Sequence, residues 1–459
     1  MREGSSAHIQ RMSLGQHVAA HARGEQLHTY GARLDLVQMA TTSCLGNEHV
    51  GPDATVLLLT KDQQDFVSAL LELDGRAGRL IICPPDLTAP SAVQVMSDHK
   101  VTHVFDATTL EGLALPAGVT RLKLRPKPQP ADIKVANCDT QWLMFTSGTS
   151  GPPKLVAHSF AALTGAIEPL AALDDVVWGT FYDVRRYGGL QMLLRALTGG
   201  GSMVLSHAGE PVDHFIARLR DAGVTHLAGT PSHWRGALMC PDLASLKPRY
   251  LRLSGEIVDQ AVLDALKAAF PGRMIGHAFA STEAGVAFEV NDGLAGFPAS
   301  WLDAPGKVEM RMRNGTLHLR SARTALAYAG ASGALHDDEG FIDTGDLIEQ
   351  RGERMYFTGR ASGVINVGGA KVAPEEVEAI INSVPHVHQS RVRPRRNPLT
   401  GSLVAAEVVA EVGCDEADLR AHILGVCRAA LPAYKVPVSL TFVSSLPMSA
   451  GGKLERRYA

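Results

Sequence analysis

The chain has 459 residues, 45% of them hydrophobic and 20% charged, with a formal net charge of -3. That length exceeds what one core usually fills, so two or three domains are expected, and the near-neutral charge gives no reason for a nucleic-acid or anionic-membrane partner. Cys44, Cys83, Cys138, Cys240, Cys414 and Cys427 form no Cys-x-x-Cys pair, the start lacks an apolar signal region, and no apolar run nears the ~20 residues that span a bilayer; a cytoplasmic protein with reduced thiols is the expectation.

Residues 1–50 have weak periodicity. From Asp53 the pattern alternates: a strand at Val56–Thr60, a helix at Gln63–Leu73, a strand at Leu80–Cys83, a helix at Ala92–Asp98 and a strand at Val101–Phe105. Such alternation implies parallel strands joined by crossover helices. Ser159 is placed to cap a helix reaching Leu173. Helices at Gly189–Leu197, His214–Ala222 and Gln260–Phe270 then alternate with strands at Ser202–Leu205, His226–Gly229, Leu251–Ser254 and one ending at Phe279. Beyond Gly285 come shorter β-like pieces (Val308–Met312, Leu317–Arg320, Met355–Thr358). A composition shift at Gly359–Gly363 leads into the helix Pro374–Ile381, which has proline and acids in its first turn and is stopped by Pro385. The fold class is therefore α/β: a large N-terminal body of several subdomains with a β-rich end (1–359), and a small mobile α+β domain (360–459).

The stretch Thr146–Lys154 reads Thr-Ser-Gly-Thr-Ser-Gly-Pro-Pro-Lys. Glycines let a backbone approach a bulky anion, and hydroxyls, amides and an ammonium supply donors to it. A Walker A loop is excluded, because Gly148 and Gly151 are three apart and Pro152-Pro153 precede the lysine. The diproline opposes a helix start, so the loop is expected to link two strands, Trp142–Phe145 and Leu155–Ala157. By itself it could be a plain turn. Phe279-Ala-Ser-Thr-Glu283 offers an aromatic face, hydroxyls and a metal-binding carboxylate; Asp343-Thr-Gly-Asp346 offers carboxylates suited to a diol; Arg360 and Lys453 are cations at a glycine-flanked hinge and near the C-terminus.

Taken in order, these segments resemble the AMP-forming adenylating enzymes: acyl- and aryl-CoA synthetases, peptide-synthetase adenylation domains and firefly luciferase. The resemblance runs from about Asp53 to the end and rests on Thr146–Lys154, Phe279–Glu283, Asp343–Asp346, Gly359–Val372 and Gly452-Lys453. It implies that Thr146, Ser147, Gly148, Thr149, Ser150, Gly151 and Lys154 surround the phosphates of ATP, that Thr282 touches the α-phosphate and that Glu283 holds Mg²⁺. Phe279 stacks on adenine with Gly255 and Glu256 on its other face, Asp346 and Arg360 hold the ribose, and Lys453 bridges the acid's carboxylate and the α-phosphoryl oxygens. It implies an acyl pocket at Tyr182, Arg186, Gly188, His233, Trp234, His277 and Ala278, and a swinging C-terminal domain that presents Ser362, Gly368, Gly369 and Lys371 for the coenzyme A step.

Three departures from the family pattern stand out. Ser362 occupies a hinge position that usually holds Asp or Lys. Arg185-Arg186-Tyr187 replaces an aromatic-His pair, so either arginine could meet an anionic or polar substrate tail, or both could lie in solvent or touch coenzyme A phosphate. The first 50 residues are shorter than usual. Asp183 lies near the position that holds an α-amino group in amino-acid-activating domains, but its spacing is too long, which favours an aryl or medium-chain acid. The leading expectation is an acid:CoA ligase using ATP, Mg²⁺ and coenzyme A on a small carboxylic acid, as monomer or homodimer. The alternatives are a stand-alone adenylation enzyme loading a separate carrier protein, and a non-catalytic nucleotide-binding homologue.

Overall fold

The computed structural model describes residues 12–45, 49–106, 110, 113–123, 125, 129–130, 138–146, 154–167, 175–330, 333–398, 400–449 and 451–456. Two sheets build the body. In the first, Thr55–Leu59 lies between Arg79–Ile82 and His103–Asp106, all parallel, with Gln141–Phe145 and Thr120–Leu122 outside them. Thr55–Leu59 is buried at every position, as a central parallel strand covered on both faces must be, and this explains its unbroken apolar run. Leu155–His158 returns antiparallel to Gln141–Phe145, so residues 146–154 join two strands, as their diproline implies.

The second sheet holds eight strands. Gln26–His28, Ser202–Val204, Val177–Thr180, His226–Gly229, Tyr250–Ser254 and Met274–Ser281 run parallel, with antiparallel edges at Arg33–Asp35 and Gly285–Val290. Two features escape sequence reasoning. The helix Leu14–His21 is fixed by a capping box between Ser13 and Gln16, and Gln26–His28 extends the main sheet although Leu27 is its one buried residue. Its partner, Ser202–Val204, lies far along the chain, and no local pattern records that pairing. The helix beginning at Ser159 spans Phe160–Thr164 rather than reaching Leu173: Ser159 caps it, Gly165 follows it, and residues 168–174 lie outside the described set. The strand expected to end at Phe279 continues to Ser281.

An antiparallel five-stranded sheet (Val308–Arg313, Thr316–Ser321, Ile342–Arg351, Arg354–Arg360, Phe297–Pro298) closes the body and supplies the expected β-rich end. The last hundred residues have their own core, with Val377, Ile381, Val392, Val408 and Ile423 at its centre. It forms between the helices Pro374–Asn382 and Glu416–Ala430 and the strands Val387–Asn397, Gly401–Ala410 and Ser439–Phe442. Among the described residues no helix is long and apolar enough to cross a membrane.

His226 sits in the second sheet between Trp178 and Tyr250, and burial first, then Arg249, holds its pKa down to about 4 from 6.5. Between those values the unfolded chain takes up a proton that the fold resists, so stability falls as pH drops. Relative to His226→Gln, the wild type is expected to lose about 2 kcal/mol of stability between pH 7 and pH 5, read from urea midpoints. An unchanged difference would show that the ring charges freely in the fold.

Candidate active site

Residues from both parts of the chain converge where the C-terminal segment meets the second sheet. Gly255 follows the strand Tyr250–Ser254 in a left-handed conformation (φ 88°), and a Cβ there would lie 3.4 Å from Lys453 Cε and 3.8 Å from Nζ. Glycine is thus what lets the Lys453 side chain lie against this turn. Next to it, Glu256 accepts hydrogen bonds from the Ser232 amide (3.0 Å), the Ser232 hydroxyl (3.0 Å) and the Leu454 amide (2.8 Å). Thr230 Oγ1 donates to the Gly452 carbonyl at 2.7 Å. The segment carrying Lys453 is therefore clamped on both sides of the lysine.

Thr230 was not expected to take part, and Ser232 was expected only as lining of the acyl pocket. Thr230 caps the helix Pro231–Leu238, accepting from the His233 amide, while His233 Nδ1 lies 3.2 Å from the Thr230 amide. The signal was present, since a threonine followed by proline marks a helix start, and that start places both hydroxyls at the segment's docking face. His233 stacks on Phe181 (5.5 Å, 17°), and burial holds its pKa down to about 4 despite Glu256. It is a neutral ring that packs against Gly452, not a charged donor.

Lys453 is held below the ordinary lysine range, first by burial, with Glu256 and Asp346 opposing that effect and Arg360 and Arg186 adding to it. Burial likewise raises Asp346, against Arg360, Thr344 and Lys453, with Glu283 acting in the same direction as burial. Asp346 and Arg360 are register partners on adjacent strands; Arg360 Nε approaches Asp346 Oδ1 at 3.3 Å and a terminal nitrogen donates to the Thr344 carbonyl at 2.7 Å. Glu283 and Thr282 occupy the turn between Met274–Ser281 and Gly285–Val290. Thr146 is buried and its amide donates to the Lys154 carbonyl at 2.8 Å, closing the base of the loop; the Lys154 ammonium lies 4.9 Å from the Tyr328 ring. Ser147, Gly148, Thr149, Ser150 and Gly151 lie outside the described residues. Among the described residues no three His, Cys, Asp or Glu side chains form a metal cage. A lone Glu283 fits a cation that arrives with phosphates, the usual mode for Mg²⁺.

Phe279, half-buried, stacks on Phe357 (4.9 Å, 6°) beside Phe288. Other expected roles need correction. Trp234 is fully buried in the core with Phe215, Leu219 and Leu227, and its Nε1 donates to the Arg252 carbonyl at 3.2 Å, so it walls no pocket. Trp234→Ala is accordingly expected to cost about 3–5 kcal/mol of unfolding free energy. A pocket wall would instead change acid preference at little cost in stability. His277 pairs in register with Leu253 and bonds the Leu294 carbonyl (2.9 Å), on the sheet face opposite Ser254 and Ala278. Arg185 is neither solvated nor aimed at a ligand. It is 3% exposed, pairs with Asp183 at 2.6 Å and donates to the Thr60 (2.6 Å) and Lys61 (3.1 Å) carbonyls, which also consumes the Asp183 carboxylate.

The Tyr182 hydroxyl donates to the Ser254 carbonyl (2.8 Å) and lies 3.1 Å from Ser254 Oγ, with Gly188 beside its ring. Arg186 pairs with Asp86 and lies alongside Gly451. Gly368 and Gly369 form the turn of the hairpin Ile365–Val372, and the Gly368 amide bonds Thr400 within the C-terminal domain; Lys371 and Ser362 are exposed.

The model of the AMP-binding enzyme family matches residues 15–319, and that of the AMP-binding enzyme C-terminal domain matches residues 376–453. A dimodular nonribosomal peptide synthase of Bacillus subtilis is 22% identical over 89% of this chain, which spans 19% of that protein's length. A 2-succinylbenzoate–CoA ligase of Bacillus pumilus is 26% identical over 69% of this chain and 68% of the ligase. The fold of o-succinylbenzoate CoA synthetase from Bacillus subtilis, solved with an acyl-adenylate intermediate, superposes with a TM-score of 0.77 at 18% identity, covering 97% of each chain.

Proposed function

We propose, for a chain that belongs to the AMP-binding enzyme family, that it activates a carboxylic acid with ATP and passes the acyl group to the thiol of coenzyme A. The supporting observation is the clamped terminal segment, which seats Lys453 against Gly255 within electrostatic reach of Asp346 and Glu256. A carboxylate attacking the α-phosphorus of ATP is a weak nucleophile approaching a polyanion, so a fixed cation must offset their repulsion and align the attack. Lys453 would do this as the carboxylate oxygen bonds to phosphorus, pyrophosphate leaves, and acyl-AMP forms. Thr146, Lys154, Thr282 and the loop between them would hold the phosphates, and Asp346 and Arg360 the ribose diol. Mg²⁺, held by Glu283, would supply charge neutralisation. Thiol sulfur then attacks the acyl carbon and AMP departs.

We place the domain boundary at 359/360. Gly359 has a φ of 152°, and a Cβ there would lie 2.7 Å from Glu375 Oε2, so it is a close contact between body and C-terminal domain. A swing about Gly359–Gly363 would exchange Lys453 for the hairpin carrying Gly368, Gly369 and Lys371. The cellular setting that supplies ATP and coenzyme A is the cytoplasm. Likeness to a peptide synthase favours a second acceptor, a carrier-protein phosphopantetheine. Incubation with Mg-ATP, an acid panel and either coenzyme A or a phosphopantetheinylated carrier separates the two. Acyl-CoA is the expected product, and thioester on the carrier alone would overturn the coenzyme A assignment.

A further inference from the structure

The body contains buried polar groups that acid activation leaves unused. On the strand Tyr250–Ser254 side chains alternate, so Tyr250, Arg252 and Ser254 share the face that carries Ala278 and Glu289 on the next two strands. The helix Tyr187–Gly199 faces them, with Tyr187, Gln191 and Arg195 at successive i, i+4 positions along one stripe. Arg252 is 2% exposed. Its Nε donates to Glu289 Oε2 at 3.0 Å and one terminal nitrogen reaches Ser254 Oγ at 3.4 Å, but the other, Nη2, is buried without a partner. Arg195 Nε and Gln191 Oε1 are buried and unpartnered as well.

Two guanidiniums share one carboxylate here, which favours the charged form of Arg252 more than that of Arg195. Glu289 serves Arg252 at 3.0 Å and Arg195 at 3.9 Å, and it also accepts from the Tyr250 hydroxyl. Burial, then Arg252, hold the Arg195 pKa down to about 10 against the pull of Glu289. A buried guanidinium with an idle donor beside a second arginine is costly unless an anion completes it.

The cluster adjoins the activation centre along the strand. Ser254, touched by Arg252 and by the Tyr182 hydroxyl, immediately precedes Gly255, against which Lys453 lies. A two-residue step along a strand is about 7 Å, roughly one para-substituted ring or a four-methylene chain.

We propose that Arg252 and Arg195 form an anion subsite at the inner end of the acyl pocket, and that the preferred substrate is a dicarboxylic acid whose second carboxylate they hold. This rests on the acid-activating reading and narrows its substrate class. Bidentate pairing of Arg252 with that carboxylate satisfies the idle donor and balances the second arginine. The same geometry selects against simple monoacids, which leave the cation buried and unpaired.

Matched acids test this: benzoate against terephthalate, and hexanoate against adipate. The readouts are ATP–pyrophosphate exchange with Mg-ATP and calorimetric binding of each acid to the ATP-free protein. Wild type is expected to favour the diacid of at least one pair by roughly tenfold or more in kcat/KM. Arg252→Met should collapse that ratio through KM, and Arg252→Lys should restore part of it. The double variant Arg252→Met/Glu289→Gln, which leaves no lone buried carboxylate, gives the same reading if the single variant loses stability. A wild-type preference for both monoacids, or a ratio that survives Arg252→Met, overturns the subsite. Arg252-dependent diacid binding without any exchange supports the subsite while removing the adenylation reading. Absence of both binding and exchange removes both.

Discussion

Lys453→Ala is expected to lower acid-dependent ATP–pyrophosphate exchange by about 10²–10³-fold, the scale of losing one preorganised charge at a developing transition state. The melting temperature should move by no more than about 2 °C, because the docked segment is held by Thr230 and Glu256 through backbone groups, not through the lysine side chain. The thioester half-reaction, started from synthetic acyl-AMP and coenzyme A, should keep most of its rate, because that step does not need a cation between a carboxylate and phosphate. Equal loss in both half-reactions would assign Lys453 a structural role.

The second large effect is expected at Gly452. It adopts φ 67°, and a Cβ there would overlap the His233 imidazole outright. His233 is stacked on Phe181 and belongs to the Thr230 cap, so it has little room to yield. Gly452→Ala should therefore lift the segment off the body and cut adenylation by roughly 10²-fold, since a displacement near 1 Å is enough for that. Its neighbour is the control: a Cβ on Gly451 would sit 3.7 Å from Arg186 Cδ, an ordinary contact, so Gly451→Ala should stay within about threefold of wild type. Stopped-assay measurement of pyrophosphate release distinguishes them, and similar losses at both glycines would contradict the docking geometry.

Much of this site was legible in the sequence because its parts lie at element ends, where composition is distinctive. The diproline in 146–154 and the Asp343–Asp346 turn identify themselves locally, and in the structure Glu256, Asp346 and Arg360 act on Lys453, which lies against Gly255. What was not legible depended on which face a strand residue shows. Ala278 and His277 are neighbours in sequence, yet register with Ser254 and Leu253 puts them on opposite sides of the sheet. Trp234, one residue past His233 on a short helix, points into the core for the same kind of reason. Arg252 reads as an ordinary polar position in Tyr-Leu-Arg-Leu-Ser, and only the helix laid across it shows that its guanidinium is buried. The Gln26–His28 strand was invisible because its stability comes from a partner about 175 residues away.

The central claim is that this chain makes acyl-AMP with Lys453 docked at Gly255. Acid-dependent exchange of labelled pyrophosphate into ATP measures this step alone, before any thiol is involved. The account predicts exchange that is absent without acid, supported by at least one carboxylic acid and lowered about 10²–10³-fold by Lys453→Ala. Exchange that proceeds at the wild-type rate in that variant, or that no acid in a broad panel of mono- and dicarboxylic acids supports, would contradict it.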